Sequence, residues 1–412
     1  MERKSSYASG NFRLKQAVLE TNTHRHNIIE LIEQIDIVEG MMEGFSHGEL
    51  RIKDTVGLID SISSDLAETA TVIISWSTDH EADGEVIITK TFGIATVAYV
   101  TDSNVVTKTV KMVLESKPAI LNEFKRVSKS YPARAGVTPA IKDLLAIIGV
   151  TDRQMKLEET QTCSGSQDSI IIPNITPLEA IEHLCVLGVS ASNAKMDTAS
   201  RSVMYFFEGG NDIKFVSLGT LNASPMAANI RWDSAPTISD TNRALSFQRS
   251  ELFDTIRSAR SGSRGATYYE HSIVNKMLRC IQSETVKPKG VFNSNVTWNK
   301  ELANDYHNAF TKYQTTDGMY AQQTTHPDSF IQRRVIRSRI MDQKAVLTVP
   351  GNAKIIAGSI IQLTVPTASG EASPADSGKW IVSRAVHHLS RQSYTIDIEL
   401  IRDSDIANRG IL

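Results

Sequence analysis

Alternation at period two governs the far end of this chain. Tyr394, Ile396, Ile398 and Leu400 share one face of a predicted strand, the pattern of a sheet half-buried against a core. Ala345–Val349, Ile355–Pro366 (broken at Gly358) and Trp380–Leu389 read as further strands. Pro350-Gly351-Asn352 is the turn between the first two, and Thr367–Gly378 is a loop of small residues. The same phrase occurs much earlier. Thr109-Val-Lys-Met-Val-Leu-Glu-Ser-Lys117 and Thr395-Ile-Asp-Ile-Glu-Leu-Ile-Arg-Asp403 both begin at Thr, alternate, and run into a charged exit. Two such segments, with α/β stretches between them, predict two β-barrels of one type, each interrupted by an insertion.

The rest of the chain fits that plan. Up to residue 118 the sequence is mainly β: Val72–Trp76 and Val86–Thr89 flank a hairpin loop, and Ile87–Val100 has the Thr, Val, Ile and aromatic content of a long strand. Ile28, Leu31, Ile32 and Ile35 fit the helical template by spacing, in a segment that is also rich enough in Ile for a strand. After Lys117-Pro118 helices are predicted over Ala119–Lys129 and Pro139–Ile148, the second with Thr138 as N-cap and Gly149 as its stop. Thr176-Pro177-Leu178-Glu179 is a capping box that starts a helix running to about Gly188. Val203–Phe207 and Ile213–Val216 read as a hairpin. The expected division is a first barrel over 1–118, an α/β insertion over 119–232, and a second barrel from 233–275 with 340–405. A mixed, partly helical insertion fills 276–339, and 406–412 is a tail.

Composition narrows the function. The 412 residues carry 44 Lys and Arg against 46 Asp and Glu, a net charge of −2, without the basic excess that phosphate binding demands. Cys163, Cys185 and Cys280 are odd in number and widely spaced, so neither a disulfide framework nor a metal knuckle is expected. The start has no apolar run after its charged residues, and no stretch approaches the ~20 apolar residues of a membrane span. A folded protein outside the bilayer is the expectation.

Chemical motifs are few. Asp79-x-Glu81-x-Asp83-Gly84 imitates the opening of a calcium loop, but Lys90 stands at the twelfth position and strands flank it, so an acidic hairpin tip is the better reading. His24 and His26 share a strand face without a third ligand at motif spacing. His387 and His388 are adjacent and point to opposite faces. Gly262-Ser263-Arg264-Gly265 reads as an ordinary connection rather than a phosphate nest. No phosphate loop, nucleophile elbow or zinc-protease motif occurs, and the Asn174 and Asn295 sequons carry no weight without a secretory signal. No catalytic residue, cofactor or metal is predicted. Arg333, Arg334 and Arg337 lie on one side of a predicted helix from Asp328 to Met341, a surface for DNA phosphates, a partner's acidic rim or solvent.

Two longer stretches carry a resemblance. The first is Ile171-Ile-Pro-Asn-Ile-Thr-Pro-Leu-Glu-Ala-Ile-Glu-His-Leu184, continuing through Tyr205-Phe-Phe-Glu208 and Phe215-Val-Ser-Leu-Gly-Thr-Leu221. The second is Val349-Pro-Gly-Asn352, Ala357-Gly-Ser-Ile-Ile-Gln-Leu363, Ser377-Gly-Lys-Trp-Ile-Val382 and Tyr394 to Ser404. In this order and spacing, with Asp36–Glu39 and His47–Asp54, they resemble the baseplate central hub protein of contractile-tailed bacteriophages. That family is the separate-chain counterpart of the hub half of type VI secretion spike proteins. The likeness spans roughly residues 10–405 and lies in the ordered set rather than in any one motif.

The resemblance implies a structural protein, mainly β with α/β insertions. Two similar tube domains per chain would give a homotrimer six barrels, adapting a six-fold tail tube to a three-fold spike. The implied partners are the spike protein, tube-initiator and baseplate proteins, and DNA in transit through a neutral or acidic lumen. The implied place is the virion tail, assembled in the host cytoplasm. Ile28–Ile35 then becomes a strand, the spike a separate polypeptide, and any muramidase activity a partner's. Val346 with Thr348, and Ile361, Leu363 and Val365, are too many apolar positions for one small barrel core, so some are expected between chains. The competing readings are a tail hub of a non-contractile phage and a carbohydrate-active enzyme lodged in the α/β module.

Overall fold

Alternating sequence becomes alternating burial along strand after strand. The computed structural model describes residues 12–62, 66, 70–80, 84–101, 107–132, 136–161, 169–191, 203–232, 242–251, 256, 267–272, 277–282, 309–314, 336–337 and 339–403. In the first third lie β1 (Phe12–Glu20), β2 (Arg25–Asn27), β3 (Ile32–Gly40), β4 (His47–Asp54), α1 (Leu58–Ile62), β5 (Thr71–His80), β6 (Gly84–Thr101) and β7 (Lys108–Ser116). An α/β module follows: α2 (Lys117–Glu123), β8 (Val127–Pro132), α3 (Thr138–Ile147), β9 (Met155–Leu157), β10 (Ser169–Ile175), α4 (Pro177–Leu187), β11 (Met204–Gly209), β12 (Asp212–Ser217) and α5 (Leu218–Ala223). The chain then returns to β with β13 (Met226–Arg231), β14 (Ser246–Glu251), β15 (Thr267–Ser272), β16 (Met277–Gln282) and β17 (Ala309–Gln314). The last strands are β18 (Gln343–Pro350), β19 (Ile360–Thr364), β20 (Gly378–Leu389) and β21 (Tyr394–Arg402). The fold is mainly β with α and α/β insertions, as the sequence predicts.

One 13-stranded sheet joins both ends of the chain, in the order β14-β18-β21-β20-β3-β4-β7-β6-β5-β1-β2, with β13 and β19 attached at β20. Two long strands make this possible. β6 pairs with β5 along its first half and with β7, on its other edge, along its second half. β20 gives one edge to β21 and divides the other between β19 and β3. The sheet folds over a single apolar core that holds Trp76, Phe92, Trp380 and Tyr394. Across it Phe12 meets Tyr394 with ring centroids 5.2 Å apart, and the Ala353 amide donates to Thr78 Oγ1 at 3.0 Å. The two halves therefore share their burial and are not independently packed.

The sequence echo is a true equivalence of ladders. In β6–β7 the register runs Phe92↔Ser116 to Ile94↔Leu114, shifts by one residue, and resumes at Thr96↔Val113. In β20–β21 it runs Ile381↔Ile401 to Val382↔Leu400, shifts by one residue, and resumes at Arg384↔Glu399. Aligning the two bulges puts Thr109 on Thr395, Met112 on Ile398 and Leu114 on Leu400. A bulge bends its strand, so both long strands turn at the same place from one layer into the next. The correspondence extends outward: Val72 and Ile361 hold matching places on β5 and β19, and Leu50 and Leu347 on β4 and β18.

The module has its own core, built by α3 and α4 against β11, β12 and β9. The capping box at its centre forms as the sequence predicts: Thr176 N–H donates to Glu179 Oε2 at 2.9 Å, and Glu179 N–H to Thr176 Oγ1 at 3.3 Å. A third cluster, with Met41, Tyr205, Phe207, Leu221, Ile360 and Ile381, seals the module against the tube sheet.

Several expectations are corrected. Of Ile28–Ile35, expected as strand from the resemblance, only Ile32 onward is strand, in β3, where Ile35 and Ile37 bury inward at period two; Ile29–Leu31 is a short 3₁₀ turn. The helix expected over Ala119–Lys129 stops at Glu123, where the chain leaves to pair Val127–Pro132 with β10. Val137, not Thr138, precedes α3, since the Thr138 hydroxyl donates to the Glu158 carbonyl instead. Only Ile360–Thr364 of Ile355–Pro366 is strand; Gly358 takes a φ of 78°, which ends the run. β13, counted with the α/β insertion, pairs parallel to β19 in the tube sheet. β15, counted with the second barrel, pairs instead with β16 and β17 in a separate sheet. The hairpin tip 81–83, Gly262–Gly265, Cys163, and most of 276–339 lie outside the described residues.

Candidate functional site

Behind the sheet, three parts of the chain meet at one buried ion cluster. In β3 the inward positions run Ile35, Ile37, Glu39; in β6 they run Ile88, Lys90, Phe92, so strand parity drives a carboxylate and an ammonium into the interior. Lys90 Nζ sits 3.0 Å from Glu39 Oε1 and 2.7 Å from Glu208 Oε1. Glu208 comes from the module hairpin β11–β12, and its other oxygen accepts the Ser46 amide at 3.1 Å. At the hairpin turn Gly210 has a φ of 61°, which aims its N–H at both Glu39 oxygens, 3.0 and 3.1 Å away. His387 of β20 approaches Glu39 Oε2 at 3.9 Å and shares a 2.8 Å hydrogen bond with the Tyr394 hydroxyl.

The electrostatics follow from these partners. Burial would push the Glu39 carboxyl up; the Lys90 ammonium, helped by His387, overcomes this and holds it well below the usual carboxylate range. Burial would lower the Lys90 pKa, but Glu208 and Glu39 together raise it. Burial also lowers the pKa of neighbouring Lys214 and raises that of Tyr394. The cluster ties the first half of the sheet, the second half and the module into one piece. It holds no acid–base pair open to a substrate.

Beside the turn, Asn211 acts as a strand substitute. Its side-chain oxygen accepts the Thr89 N–H at 2.8 Å, and its side-chain nitrogen donates to the Ile87 carbonyl at 2.9 Å. Those backbone groups lie on the edge of β6 opposite β5, where no strand runs among the described residues.

The opposite face of the sheet is open. From β14 to β6, eight adjacent strands form an arc whose outer side chains are part-exposed or exposed, apart from Ile381 and Ile401, which pack under the module. Arg51, Lys53, Lys111, Lys344 and Arg384 share this face with Asp36, Glu49, Glu115, Asp397 and Glu399. Many are paired: Lys111 to Glu49 at 2.6 Å, and Arg384 to Glu399 at 3.3 Å. His388 spans the seam between the halves, 2.6 Å from Asp36 and 3.2 Å from Asp397. Gln34 donates to Asp36, and Thr348 donates to Asp397. The face is polar and charge-balanced, with no concentration of unpaired cations.

The predicted site residues fall in different places. Ile361, Leu363 and Val365 lie inside the chain's own core, a correction to the expectation that they help form an interface. The sheet is larger than one small barrel, and its shared interior has room for them. Val346 is part-buried on the open face beside Thr348. Arg337 is exposed, near the buried Tyr205; Arg333 and Arg334 lie outside the described residues. His387 and His388 do point to opposite faces. Among the described residues, no group of three or more His, Cys, Asp or Glu is placed to hold a metal. Glu39, Lys90 and Glu208 went unnoticed in the sequence, although a charged residue at an inward strand position is a readable signal.

With this geometry, the likenesses to known proteins become informative. No family profile matches the chain. It is 22% identical over 400 residues to a probable baseplate hub protein of the Vibrio phage KVP40, covering 91% of this chain and 90% of that protein. Its fold matches the tail protein from Neisseria meningitidis MC58 with a TM-score of 0.58 at 13% identity, over 95% of this chain and 97% of that one. It also matches the E. coli c3393 protein, a type VI secretion component similar to phage T4 tail proteins gp27 and gp5. There the TM-score is 0.50 at 8% identity, over 95% of this chain and 77% of that one. The class is thus the phage-tail fold shared with type VI secretion components. Within it, the chain resembles baseplate hub proteins along nearly its whole length, and this supports a baseplate hub or tail-protein function.

Proposed function

We propose that three copies of this chain form the central hub ring of a phage baseplate, joining a six-fold tail tube to a three-fold cell-piercing spike. The observation that carries this reading is the doubled ladder. β3-β4-β7-β6 and β14-β18-β21-β20 share register and bulge, so each chain supplies two nearly equivalent four-stranded arcs. A three-fold ring of such chains presents six similar surfaces to a six-fold tube and three to a spike, which is the symmetry problem a hub must solve. The open face of the arc lines the lumen in this reading. Its balanced, paired charges release few counterions to phosphate, so DNA passes without being held.

The partners are the other two copies, the spike protein, and the tube-initiator and baseplate proteins. The protein works in the virion tail after assembly in the host cytoplasm, and its role is structural rather than enzymatic. Arg337, which is exposed, serves a contact with a protein partner or outer solvent rather than with DNA, and the same role is assigned to the neighbouring Arg333 and Arg334. Light scattering on the purified chain, alone and with the spike protein, tests the proposal. A mass three times 45.4 kDa for the chain alone, or a complex holding three copies of it together with the spike, supports it. A monomer in both samples overturns it.

A further inference from the structure

The joint inside the chain specifies a joint between chains. Where the two arcs meet, β20 pairs antiparallel with β3, His388 opposite Asp36 and His387 opposite Ile37. Bulge alignment makes β6 the equivalent of β20, with Tyr99 at the place of His387 and Val100 at the place of His388. The registers against β4 and β18 make β14 the equivalent of β3, with Gln248 at the place of Asp36 and Arg249 at the place of Ile37. Inside one chain the β20 edge finds β3. The matching edge of β6, and the outer edge of β14, find no strand among the described residues.

The residues on that edge bear the mark of a missing neighbour. His387 is fully buried in the internal joint, whereas Tyr99 and Val100 are 57% and 74% exposed. An open strand edge carries unpaired amides and carbonyls and invites pairing unless it is blocked. Along the first half of β6 this edge is covered by β5, and Asn211 caps the opposite edge. The second half carries no such cap among the described residues. Both free edges end the same eight-stranded arc, so joining them continues the sheet with its core face and open face unbroken.

We propose that the second half of β6 in one copy pairs antiparallel with β14 of the next copy, with Val100 opposite Gln248 and Tyr99 opposite Arg249. This rests on the ring reading above and deepens it by naming the edges that close the ring. Repeating the joint three times closes the arcs on themselves. Tyr99 then lies under the continued sheet, as His387 does at the internal joint, and Val100 lies on the lumen face, as His388 does.

The test is a Val100→Cys, Gln248→Cys double variant oxidised with copper–phenanthroline. Directly opposed residues in an antiparallel ladder have Cα atoms about 4.5–5.5 Å apart, within the roughly 4.4–6.8 Å that a disulfide spans. Covalent dimers and trimers on a non-reducing gel, absent from each single variant, are the expected result. A second variant, Val100→Asp, should keep the far-UV circular dichroism of the parent and weaken self-association at least tenfold. Trimers by light scattering that neither cross-link nor respond to Val100→Asp overturn this joint and leave the ring standing. A chain that stays monomeric with and without spike protein, and gives no cross-link, overturns both.

Discussion

Position for position the two arcs carry one ladder, and they differ where each meets a different neighbour. In the first arc Phe92 stands where the second has Trp380, and both rings are fully buried. Ser116 stands where the second arc has Arg402. Arg402 donates to Gln343 and to the Ser377 and Ala375 carbonyls while its guanidinium stacks 3.9 Å from the Trp380 ring. Arg249 adds a second guanidinium 4.7 Å from that ring. Conversely, Lys90 of the first arc stands where the second has Gly378, so the buried ion cluster occurs only once. Two copies of one framework have kept the apolar ladder, which any such sheet must bury. They have exchanged the polar residues that fasten each arc to what lies beside it.

The largest predicted effect tests the ion cluster. Lys90→Met leaves the buried Glu39 and the part-buried Glu208 without their cation and should destabilise the chain by about 3–5 kcal/mol, read as a lower midpoint in urea unfolding. A loss below ~1 kcal/mol would mean that the two carboxylates relax without the ammonium. Next comes the unequal pair Arg402 and Ser116. Arg402→Ala removes three hydrogen bonds, two of them buried, and the stacking on Trp380, and should cost about 2–4 kcal/mol. Ser116→Ala, at the matching place, should cost under ~1 kcal/mol. Equal losses would deny that the arcs have diverged in how they are held.

The pH dependence of the parent's stability sharpens the same point. The folded pKa of Glu39 is depressed, so its contribution is present above an unfolded value of about 4.3 and fades as pH falls toward the lower folded value. The folded pKa of Lys90 is raised, so its contribution is present below an unfolded value of about 10.4 and fades as pH climbs through the higher folded one. In the parent this contribution should therefore stay level from about pH 5 to 9 and shrink outside that window. Unfolding curves collected across this range provide the check. A steep change inside the window would mean that another titrating group controls the junction.

The smallest effects concern surfaces. His388→Ala at the seam should cost about 1 kcal/mol or less, because its partners are half in water. Substituting Arg333, Arg334 and Arg337 together with Ser should weaken assembly with partners or lower solubility and leave DNA affinity, already poor, unchanged. A salt-dependent, submicromolar DNA complex that disappeared in the triple variant would make the arginines a DNA guide.

Much of this framework was legible before any coordinates. The alternation of Tyr394, Ile396, Ile398 and Leu400 named a buried face, and all four side chains are fully buried. The Thr176–Glu179 box named a helix start. The Thr109 and Thr395 phrases matched in the register that the bulges later fix. Each of these signals is local, set by period two or by bonds spanning three residues. The spacing of Ile28–Ile35 left helix and strand open for the complementary reason. A short Ile-rich run satisfies both periods, and pairing with β4 and β20, invisible in a local window, decides between them.

By itself, then, the chain's order of residues determined which faces turn inward, where α4 begins, and that two strand-rich regions repeat one pattern. Tertiary structure alone decided that the two regions share one sheet, through a β20–β3 joint whose residues His388 and Asp36 lie 352 positions apart. It also decided that Lys90 meets Glu208 across 118 positions, and that Ile361, Leu363 and Val365 fill a common core. The physical reason is that side-chain parity is a property of each strand. Which edges meet, and which buried charges find partners, depends on how distant strands come together, and only the folded chain brings them there.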